Sequence, residues 1–406
     1  MEIVLAALAF DQPGGMQTYI LTLAPHLERL GHGVTIYAPD GGQVADLARS
    51  RGLRVSDLES QLPPSCDAVI SSDAVSALVM ADRFPAAVRG IIVHGGDFDL
   101  HLPPAHEGVV SFAVAMNGVV QRRVEASAGA PPVTRLRQPI EIAHFFAAGP
   151  VREQAERVLL LGNYLSGRRR DALVDVCERA GLEWRQVGAS GEIALDPRPA
   201  ILEADIVIAQ GRAALEGMAC GRAVWVFGPS GGDGWVTADT YEAIEADGLR
   251  GRASGAPIDA EAFGRALADY RPQMGEVNRE LAVLHHSPYD HAVAVVGLLE
   301  GRSKGPAPGA PLREMARLVR THHDAQSRVA AVALELRALH GQYQMLAREN
   351  ARHAEESARH AAELDACRAQ VAELLARLHP PPGLWRRAGG YGKRRLKRVW
   401  RGLVGG

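Results

Sequence analysis

The stretch GRAALEGMACG (residues 211–221) separates two apolar runs, ADIVIAQ (204–210) and AVWVF (223–227). Both runs have the length and the β-branched content of buried strands, so a short helix is predicted between them. The residues of this helix are almost all small, which leaves space for another group to approach its backbone closely. Its one carboxylate, Glu216, would be costly to bury unless its oxygens accept hydrogen bonds.

The same alternation of apolar runs and helical patterns occupies the first 300 residues. The first set of predicted strands is EIVLAALAF (2–10), GVTIYAP (33–39), DAVISS (67–72) and RGIIVHG (89–95). The second set is ERVLLLGN (156–163), EWRQVG (183–188), DIVIAQ (205–210) and AVWVFG (223–228). Strands separated by helices are typical of parallel sheets. The predicted fold class is therefore α/β, with two doubly wound, Rossmann-like domains at 1–140 and 150–300 and a Pro-rich linker over 129–151. Ligands are expected beyond the carboxyl ends of the strands, in the cleft between the domains.

Composition narrows the classes of protein to consider. The chain has 406 residues, 47% of them hydrophobic and 23% charged, which predicts two or three folded domains. Its net charge of −2 argues against a nucleic-acid-binding protein. The four cysteines are far apart, so neither disulfides nor a zinc site is expected, and a reducing cytosol fits. The N-terminal MEIVLAALAF lacks a basic flank and is predicted to be a strand rather than a signal peptide.

A long helix is predicted after a flexible linker at 301–311. Over 312–379 apolar residues recur at the spacing of a coiled coil, which predicts self-association into a homo-oligomer. The stripe consists of Leu318, Ala325, Val329, Val332, Leu336, Leu339, Tyr343, Leu346, Leu364, Val371, Leu374 and Leu378. Because its centre is polar, an isolated charged helix is the alternative.

The C-terminal tail (380–406) begins with three prolines and differs sharply in charge from the rest of the chain. From residue 381 onward it has eight Lys or Arg and no Asp or Glu. Leu396, Val399, Trp400 and Leu403 recur at helical spacing, and cations fill the positions between them. This pattern favours binding of residues 383–404 to an anionic membrane surface. RNA binding or a disordered end are the alternatives.

Two candidate binding positions lie in the first predicted domain. Gly14 and Gly15 connect the first strand to the first helix, where backbone amides attract anions, although a tight turn also requires glycine. His94 ends the strand GIIVH and is followed by two glycines, so its side chain is expected to face the cleft. A structural histidine that bonds to the backbone is the alternative.

The second predicted domain offers two more groups. Arg168, Arg169 and Arg170 cluster where a helix begins, and cations there oppose the helix dipole unless an anion lies between them. Gly211 and Arg212 open the small-residue helix, and Glu216 lies one turn further along. A pair of adjacent hydroxyls, such as those of a ribose, would satisfy both oxygens of this carboxylate.

Taken together, these segments resemble the retaining glycosyltransferases of family four, which have the two-domain GT-B fold. The resemblance covers about residues 1–300. It rests on the GG loop, LERLGHGVTIYAP (27–39), VHG (93–95), RLRQPIEIAHFF (135–146), VLLLGN (158–163) and LEGMACGRAV (215–224). Its most specific part is EGMACGRAV (216–224), which is similar to the family pattern E-A-M-A-x-G-x-P-V.

The resemblance implies transfer of a sugar from a nucleotide-sugar donor without a metal ion. It implies that Glu216 holds the donor ribose, that Gly14 and Gly15 approach the phosphates, and that His94 contacts the transferred sugar. Arg168 or Arg169 would neutralise the diphosphate leaving group, which is the electrostatic contribution that usually dominates.

The sequence departs from the family at four positions. The second family glutamate, eight positions before Glu216, is replaced by Ile208. Asn163, which we include among the substrate-binding candidates, replaces an arginine. Arg222 replaces a small or polar residue, and Ala223 replaces the proline that follows it.

We therefore predict a cytoplasmic glycosyltransferase, peripheral at the inner face of the cell membrane, that acts on a glycan or lipid-linked acceptor. No metal or other cofactor and no nucleic acid are expected. The alternative is a non-catalytic scaffold that retains a sugar-nucleotide fold and acts through its coiled coil and tail. A sugar-nucleotide epimerase would need further carboxylates in the cleft, and the sequence offers no convincing set.

Overall fold

A computed structural model describes residues 1–96, 98–149, 151–188, 191–192, 194, 196–228, 231–255, 259–302, 309, 311–378 and 398. Within the last helix, the side chains of 334, 337, 338, 341, 344, 345, 348, 376 and 378 are not described. The chain divides into two compact units, Met1–Arg328 and Val329–Gly406.

A parallel sheet of seven strands forms the centre of the first domain. The strands of this domain are β1 (Glu2–Ala6), β2 (Ala9–Phe10), β3 (Gly33–Tyr37), β4 (Asp40–Gly41), β5 (Arg54–Ser56), β6 (Ala68–Ser71), β7 (Val88–Val93), β8 (Phe112–Ala115) and β9 (Val133–Arg135). The sheet has the order β5-β3-β1-β6-β7-β8-β9, and β2 and β4 pair separately. Its helices are α1 (Gly15–Arg29), α2 (Gln43–Ser50), α3 (Ala74–Arg83) and α4 (Gly118–Glu125).

The second domain contains five strands, β10 (Arg157–Leu161), β11 (Glu183–Val187), β12 (Ile206–Ala209), β13 (Ala223–Gly228) and β14 (Gly231–Trp235). They have the order β11-β10-β12-β13-β14, and only β14 runs antiparallel to its neighbour. The helices are α5 (Gly167–Arg179), α6 (Arg198–Glu203), α7 (Gly211–Ala219), α8 (Tyr241–Ala246), α9 (Ala260–Ala266) and α10 (Gln273–His285).

All eight strands predicted from apolar runs are present, and the Rossmann-like character of both domains is confirmed. The strands that sequence reasoning missed are short or lack an apolar run. Strand β9 lies inside the predicted linker 129–151, where it forms the edge of the first sheet. Strand β14 has the sequence GGDGW, which carries no strand pattern, and is held by pairing with β13.

The second domain is predicted to end at residue 300, but the helix that ends at this residue packs on the first domain. Helix α11 (Pro288–Glu300) returns to the first domain, where Ala292, Val295 and Leu299 are buried in the same core as α1. Its apolar residues predict a buried helix, but not which of two sheets buries it. The chain thus crosses between the domains twice, before β10 and before α11.

The small residues of α7 have a structural role that differs from the sequence interpretation. Ala214, Gly217 and Ala219 face the interior of the domain, and a Cβ added to Gly217 would lie 3.1 Å from Val207 and 3.2 Å from Val224. Small size at these positions lets the helix pack closely on β12 and β13. Only the first three residues, 211–213, are partly exposed, so a ligand can approach the backbone only there.

The unusual Arg222 is also explained by packing. Its side chain is fully buried, and its guanidinium donates to the carbonyl oxygens of Ala148, at 2.8 Å, and Leu202, at 2.7 Å. Buried carbonyl groups require donors. Arg222 therefore ties the segment that enters the second domain to helix α6 and takes no part in the cleft.

The final helix, α12, spans Leu312–Leu378 as one continuous element, close to the predicted 312–379. Its first turns belong to the first unit, where Leu312 and Ala316 are buried. In the second unit the stripe residues whose side chains are described are exposed, from 54% at Val332 to 71% at Tyr343. Most of the linker 301–311 and all of the tail except residue 398 lie outside the described residues. No helix in the described part of the chain has both the length and the apolarity of a membrane span.

Candidate functional site

Three parallel strands of the second sheet end side by side at the predicted cleft. Leu161 of β10 pairs with Ala209 of β12, which pairs with Val226 of β13. The chain therefore brings Asn163, after β10, and Gly211, after β12, to one edge of the sheet. Sequence reasoning placed its second-domain candidates at these strand ends, and the structure groups them there.

Helix α7 begins at this edge with an unusual backbone turn. Gly211 has φ +57°, a conformation that favours glycine, and its amide donates to the carbonyl oxygen of Leu249 at 2.9 Å. The amides of Arg212 and Ala213 donate to no acceptor among the described residues. These two groups can therefore bind an anion at the positive end of the helix dipole.

Glu216 has a protein partner one turn earlier on the same helix. Nε of Arg212 donates to Oε1 of Glu216 at 3.1 Å, and both side chains are only 11% exposed. Burial raises the pKa of the Glu216 carboxyl, and Arg212 partly offsets this effect. Oε2 of Glu216 accepts no hydrogen bond from the described residues, so it is available to a ligand hydroxyl.

Arg212 also reaches across the cleft to the first domain. It donates to the carbonyl oxygen of Pro139, at 3.2 Å, and to Oγ1 of Thr22 on α1, at 3.0 Å. The same guanidinium thus contacts the second domain, the segment that links the domains and the first domain. Burial lowers its pKa, and the charge of Glu216 opposes that shift.

The first domain contributes α1 and His94 to the facing side. Helix α1 begins at Gly15 with Gly14 as its N-cap, and its Tyr19 ring contacts the imidazole of His94 with centroids 4.8 Å apart. Burial lowers the pKa of His94 to about 3, so its imidazole is neutral at neutral pH. Its Nε2 is buried and makes no hydrogen bond with any described residue. A neutral ring nitrogen of this kind can pair with a hydroxyl group of a ligand.

The three arginines that begin α5 have separate surroundings. Arg169 donates to the carbonyl oxygen of Gly228, at the end of β13, at 3.0 Å. Arg170 turns away, bonds to Gln186 at 3.0 Å and lies over the Trp184 ring. Arg168 is exposed on the same first turn. Arg168 and Arg169 thus lie at the sheet edge where α7 begins, whereas Arg170 contacts side chains of β11 in the second domain.

Ile208 does not reach this site. It lies within β12, is fully buried in the core of the second domain and pairs with Leu160 and Trp225 on the adjacent strands. Strand β12 ends at Ala209, and Gln210 is the only residue between it and α7. The position therefore belongs to the core, and an acid placed there would face apolar side chains.

Two tyrosine–histidine pairs, which sequence reasoning missed, hold the segment between the domains. His291 bonds through Nδ1 to the carbonyl oxygen of Arg137, at 3.0 Å, and through Nε2 to the hydroxyl of Tyr19, at 2.8 Å. His286 bonds in the same way to the carbonyl of Gln138, at 2.7 Å, and to Tyr241, at 2.8 Å.

The partners of these histidines determine their protonation. A carbonyl oxygen only accepts, so Nδ1 must carry the proton and Nε2 must accept from the tyrosine. Burial lowers the pKa of both His286 and His291 to about 4, which agrees with neutral rings. Consecutive carbonyls of the linking segment are thus held from the two domains, because Tyr19 belongs to α1 and Tyr241 to α8. Histidines at these spacings carry no sequence signal, since each bond joins residues far apart in the chain.

The linking segment is also bound by ion pairs to the second domain. Arg135 and Arg137 both donate to the buried Glu245 of α8, and Arg137 donates in addition to Glu242 at 2.6 Å. The carboxylate of Glu245 is 2% exposed, so it depends on both arginines for compensation. Among the described residues, no three potential ligands are grouped closely enough to hold a metal ion.

Comparisons with known proteins identify relatives by fold only. No family model and no curated protein matches this sequence. Among solved structures, Anabaena HepE in complex with UDP and glucose is similar, with a TM-score of 0.54 and 12% identity, over 74% of this chain and 100% of that one. The same protein with UDP-glucose matches with a TM-score of 0.53 and 12% identity, over the same shares of both chains. The likeness supports the predicted two-domain architecture of the GT-B type over 74% of this chain.

The two buried histidines predict how stability depends on pH. Below about pH 6.5 the unfolded imidazoles bind protons, whereas the folded ones remain neutral down to about pH 4. The free energy of unfolding should therefore fall by about 1.5 kcal/mol for each of the two histidines between pH 6.5 and 5. Urea denaturation of the protein with His286→Gln and His291→Gln should show a shallower decline in this window. Above pH 7 the two proteins should have parallel pH dependences, and an unchanged decline below 6.5 would contradict neutral buried histidines.

Proposed function

We propose that this protein is a glycosyltransferase that transfers a sugar from a nucleotide-sugar donor. The observation that carries the proposal is the grouping of Arg212, Glu216 and the start of α7 opposite His94 and α1. The resemblance to family four supports it. Anabaena HepE, which shares the fold, was crystallised with UDP and with UDP-glucose, and this favours a uridine donor.

The second domain is proposed to hold the donor nucleotide. The free oxygen of Glu216 would accept a ribose hydroxyl, while the amides at the start of α7 bind the diphosphate. Arg168 and Arg169 would stabilise the negative charge that develops on the leaving diphosphate. These positively charged groups make a metal ion unnecessary in the proposed mechanism.

The first domain is proposed to position the sugar. The bond between the anomeric carbon and the diphosphate oxygen breaks, a new bond forms to the acceptor oxygen, and the proton of the acceptor hydroxyl passes to the departing diphosphate. His94 is neutral, so it would bind a sugar hydroxyl near the reacting carbon without adding charge. Gly14 and Gly15 would lie beside the phosphates. A Cβ on Gly15 would meet no atom within 4 Å, whereas one on Gly14 would meet the flexible Gln17 side chain. Retention of configuration is proposed from the resemblance.

Nucleotide binding tests this proposal directly. Calorimetric titration of the full chain with UDP, GDP, ADP and TDP should give saturable binding of one nucleotide, with UDP expected. Glu216→Ala should weaken it by about 1.5–3 kcal/mol, because a charged hydrogen-bond partner is lost. Glu178→Ala, on the exposed face of α5 in the same domain, is the matched control and should bind normally. If none of the four nucleotides binds, the non-catalytic scaffold becomes the better interpretation.

We further propose that the tail brings the enzyme to the cytosolic face of the membrane, where a glycan or lipid-linked acceptor is extended. The support is its sequence, in which cations alternate with Trp and Leu. The full chain should co-sediment with vesicles containing anionic lipid, and less at high salt. A chain ending at residue 379 should remain in solution with the same vesicles. Equal sedimentation of both chains would contradict a role for the tail.

Self-association through α12 is the remaining part of the proposal. Leu336 and Leu339 are 61% and 60% exposed on the stripe, and an apolar row of this length favours burial against a second copy. Light scattering should find an oligomer for the full chain and a smaller species for Leu336→Glu with Leu339→Glu. Glu335→Ala, beside the stripe, is the control and should leave the mass unchanged. A monomeric full chain would indicate an isolated charged helix.

A further inference from the structure

The first turns of α12 complete the surface of the first domain. Leu312 and Ala316 are buried against Leu100 and Leu102, which follow His94 in the chain. Val319 packs on the same cluster. Residues 312, 316, 319, 323 and 326 share one face of the helix, because they are three or four positions apart. This face continues towards the carboxyl edge of the first sheet.

Ion pairs join this part of α12 to the first domain. Arg313 donates to Asp82 at 2.6 Å and to both carboxylate oxygens of Glu59, at 2.6 and 2.8 Å. Arg320 donates through Nη2 to both carboxylate oxygens of Asp40, at 3.1 and 2.8 Å. Asp40 lies shortly after the end of β3. Exposed pairs of this kind contribute little stability, but the bidentate pair of Arg313 with Glu59 fixes orientation.

The next turn of α12 meets the loop that follows His94. The ring of Phe98 lies between His323 of α12, at 6.1 Å, and His101, at 5.9 Å, measured between ring centroids. Phe98 therefore connects α12 with the loop that follows His94.

Two polar atoms on this face of α12 are buried without partners. Nδ1 of His323 and Oε1 of Gln326 make no hydrogen bond with any described residue. Both side chains are half-buried, as is Phe98. Buried polar atoms normally have a partner, and an unmet one requires a ligand or an ordered water. The half-buried Phe98 ring adds an apolar surface beside His323.

We propose that His323, Gln326 and Phe98 form a subsite for one sugar unit of the acceptor, with α12 as its wall. Sugar hydroxyls would pair with the two unpartnered atoms, and the Phe98 ring would pack against the C–H groups of the sugar. The inference rests on the proposed function, because it assigns the acceptor side of the same cleft. Helix α12, which carries the exposed stripe, would then also contribute to the acceptor specificity of the enzyme.

Binding of simple sugars to the full chain saturated with UDP tests this subsite. The probes are the methyl glycosides of glucose, galactose, mannose and N-acetylglucosamine, observed by saturation-transfer NMR. At least one should bind the unaltered protein. Both His323→Ala and Gln326→Ala should weaken it about fivefold to tenfold, as expected for one lost hydrogen bond. Asp324→Ala, exposed on the opposite face of α12, is the matched control and should bind equally.

The outcomes separate this inference from the proposed function. UDP affinity should be unchanged in all three variants, which also reports that each has folded. If UDP binds but no glycoside does, or if both variants bind like Asp324→Ala, ordered water satisfies the two atoms and the subsite is rejected. If UDP itself does not bind, the proposed function fails and the subsite falls with it.

Discussion

The arrangement of the cleft depends on the hydrogen bonds that the guanidinium of Arg212 donates. This group joins Glu216 on its own helix to Pro139 in the linking segment and to Thr22 on α1. A buried cation is costly unless each of its donors is satisfied, and here the partners come from three separate parts of the chain. The start of α7 is therefore held at a defined position opposite the first domain.

The linking segment is the second constraint. His286 and His291 hold the carbonyls of neighbouring residues, and each histidine is itself held by a tyrosine, one from each domain. Tyr19 also contacts His94, so the same side chain touches the linking segment and the candidate site. A change in the angle between the domains would disturb both sets of bonds. The geometry of the cleft is thus coupled to the hydrogen bonding of a few buried rings.

Helix α12 has two different surroundings along its length. Its first turns are packed and paired on the first domain, where they adjoin the loop after His94. Its later turns carry an exposed apolar stripe. One continuous element therefore offers both a wall for an acceptor and a surface for self-association, as proposed above.

The amino-acid sequence by itself determined the two Rossmann-like domains, the long helix and the strand ends at which the candidate residues lie. These features depend on local periodicity, which a single sequence displays: apolar runs for β10 and β12, glycines after them, and a heptad stripe in α12. It also singled out Glu216, because a carboxylate among small residues is conspicuous. The assignment of α7's small residues to ligand approach was only partly correct, since Gly217 faces β12 and β13.

Only the tertiary structure decided which distant residues meet. The hydrogen bonds from Arg212 to Thr22 and from His291 to Tyr19, and the ring contact of His323 with Phe98, join residues separated by roughly 200 positions or more. No periodicity records such pairings. The return of α11 to the first domain is of the same kind, because an amphipathic helix specifies that it must be buried but not where. Ile208 shows what sequence alignment alone does not decide. The alignment matches Ile208 to a family glutamate, but only the structure shows that it is buried in β12, where it pairs with Leu160 and Trp225.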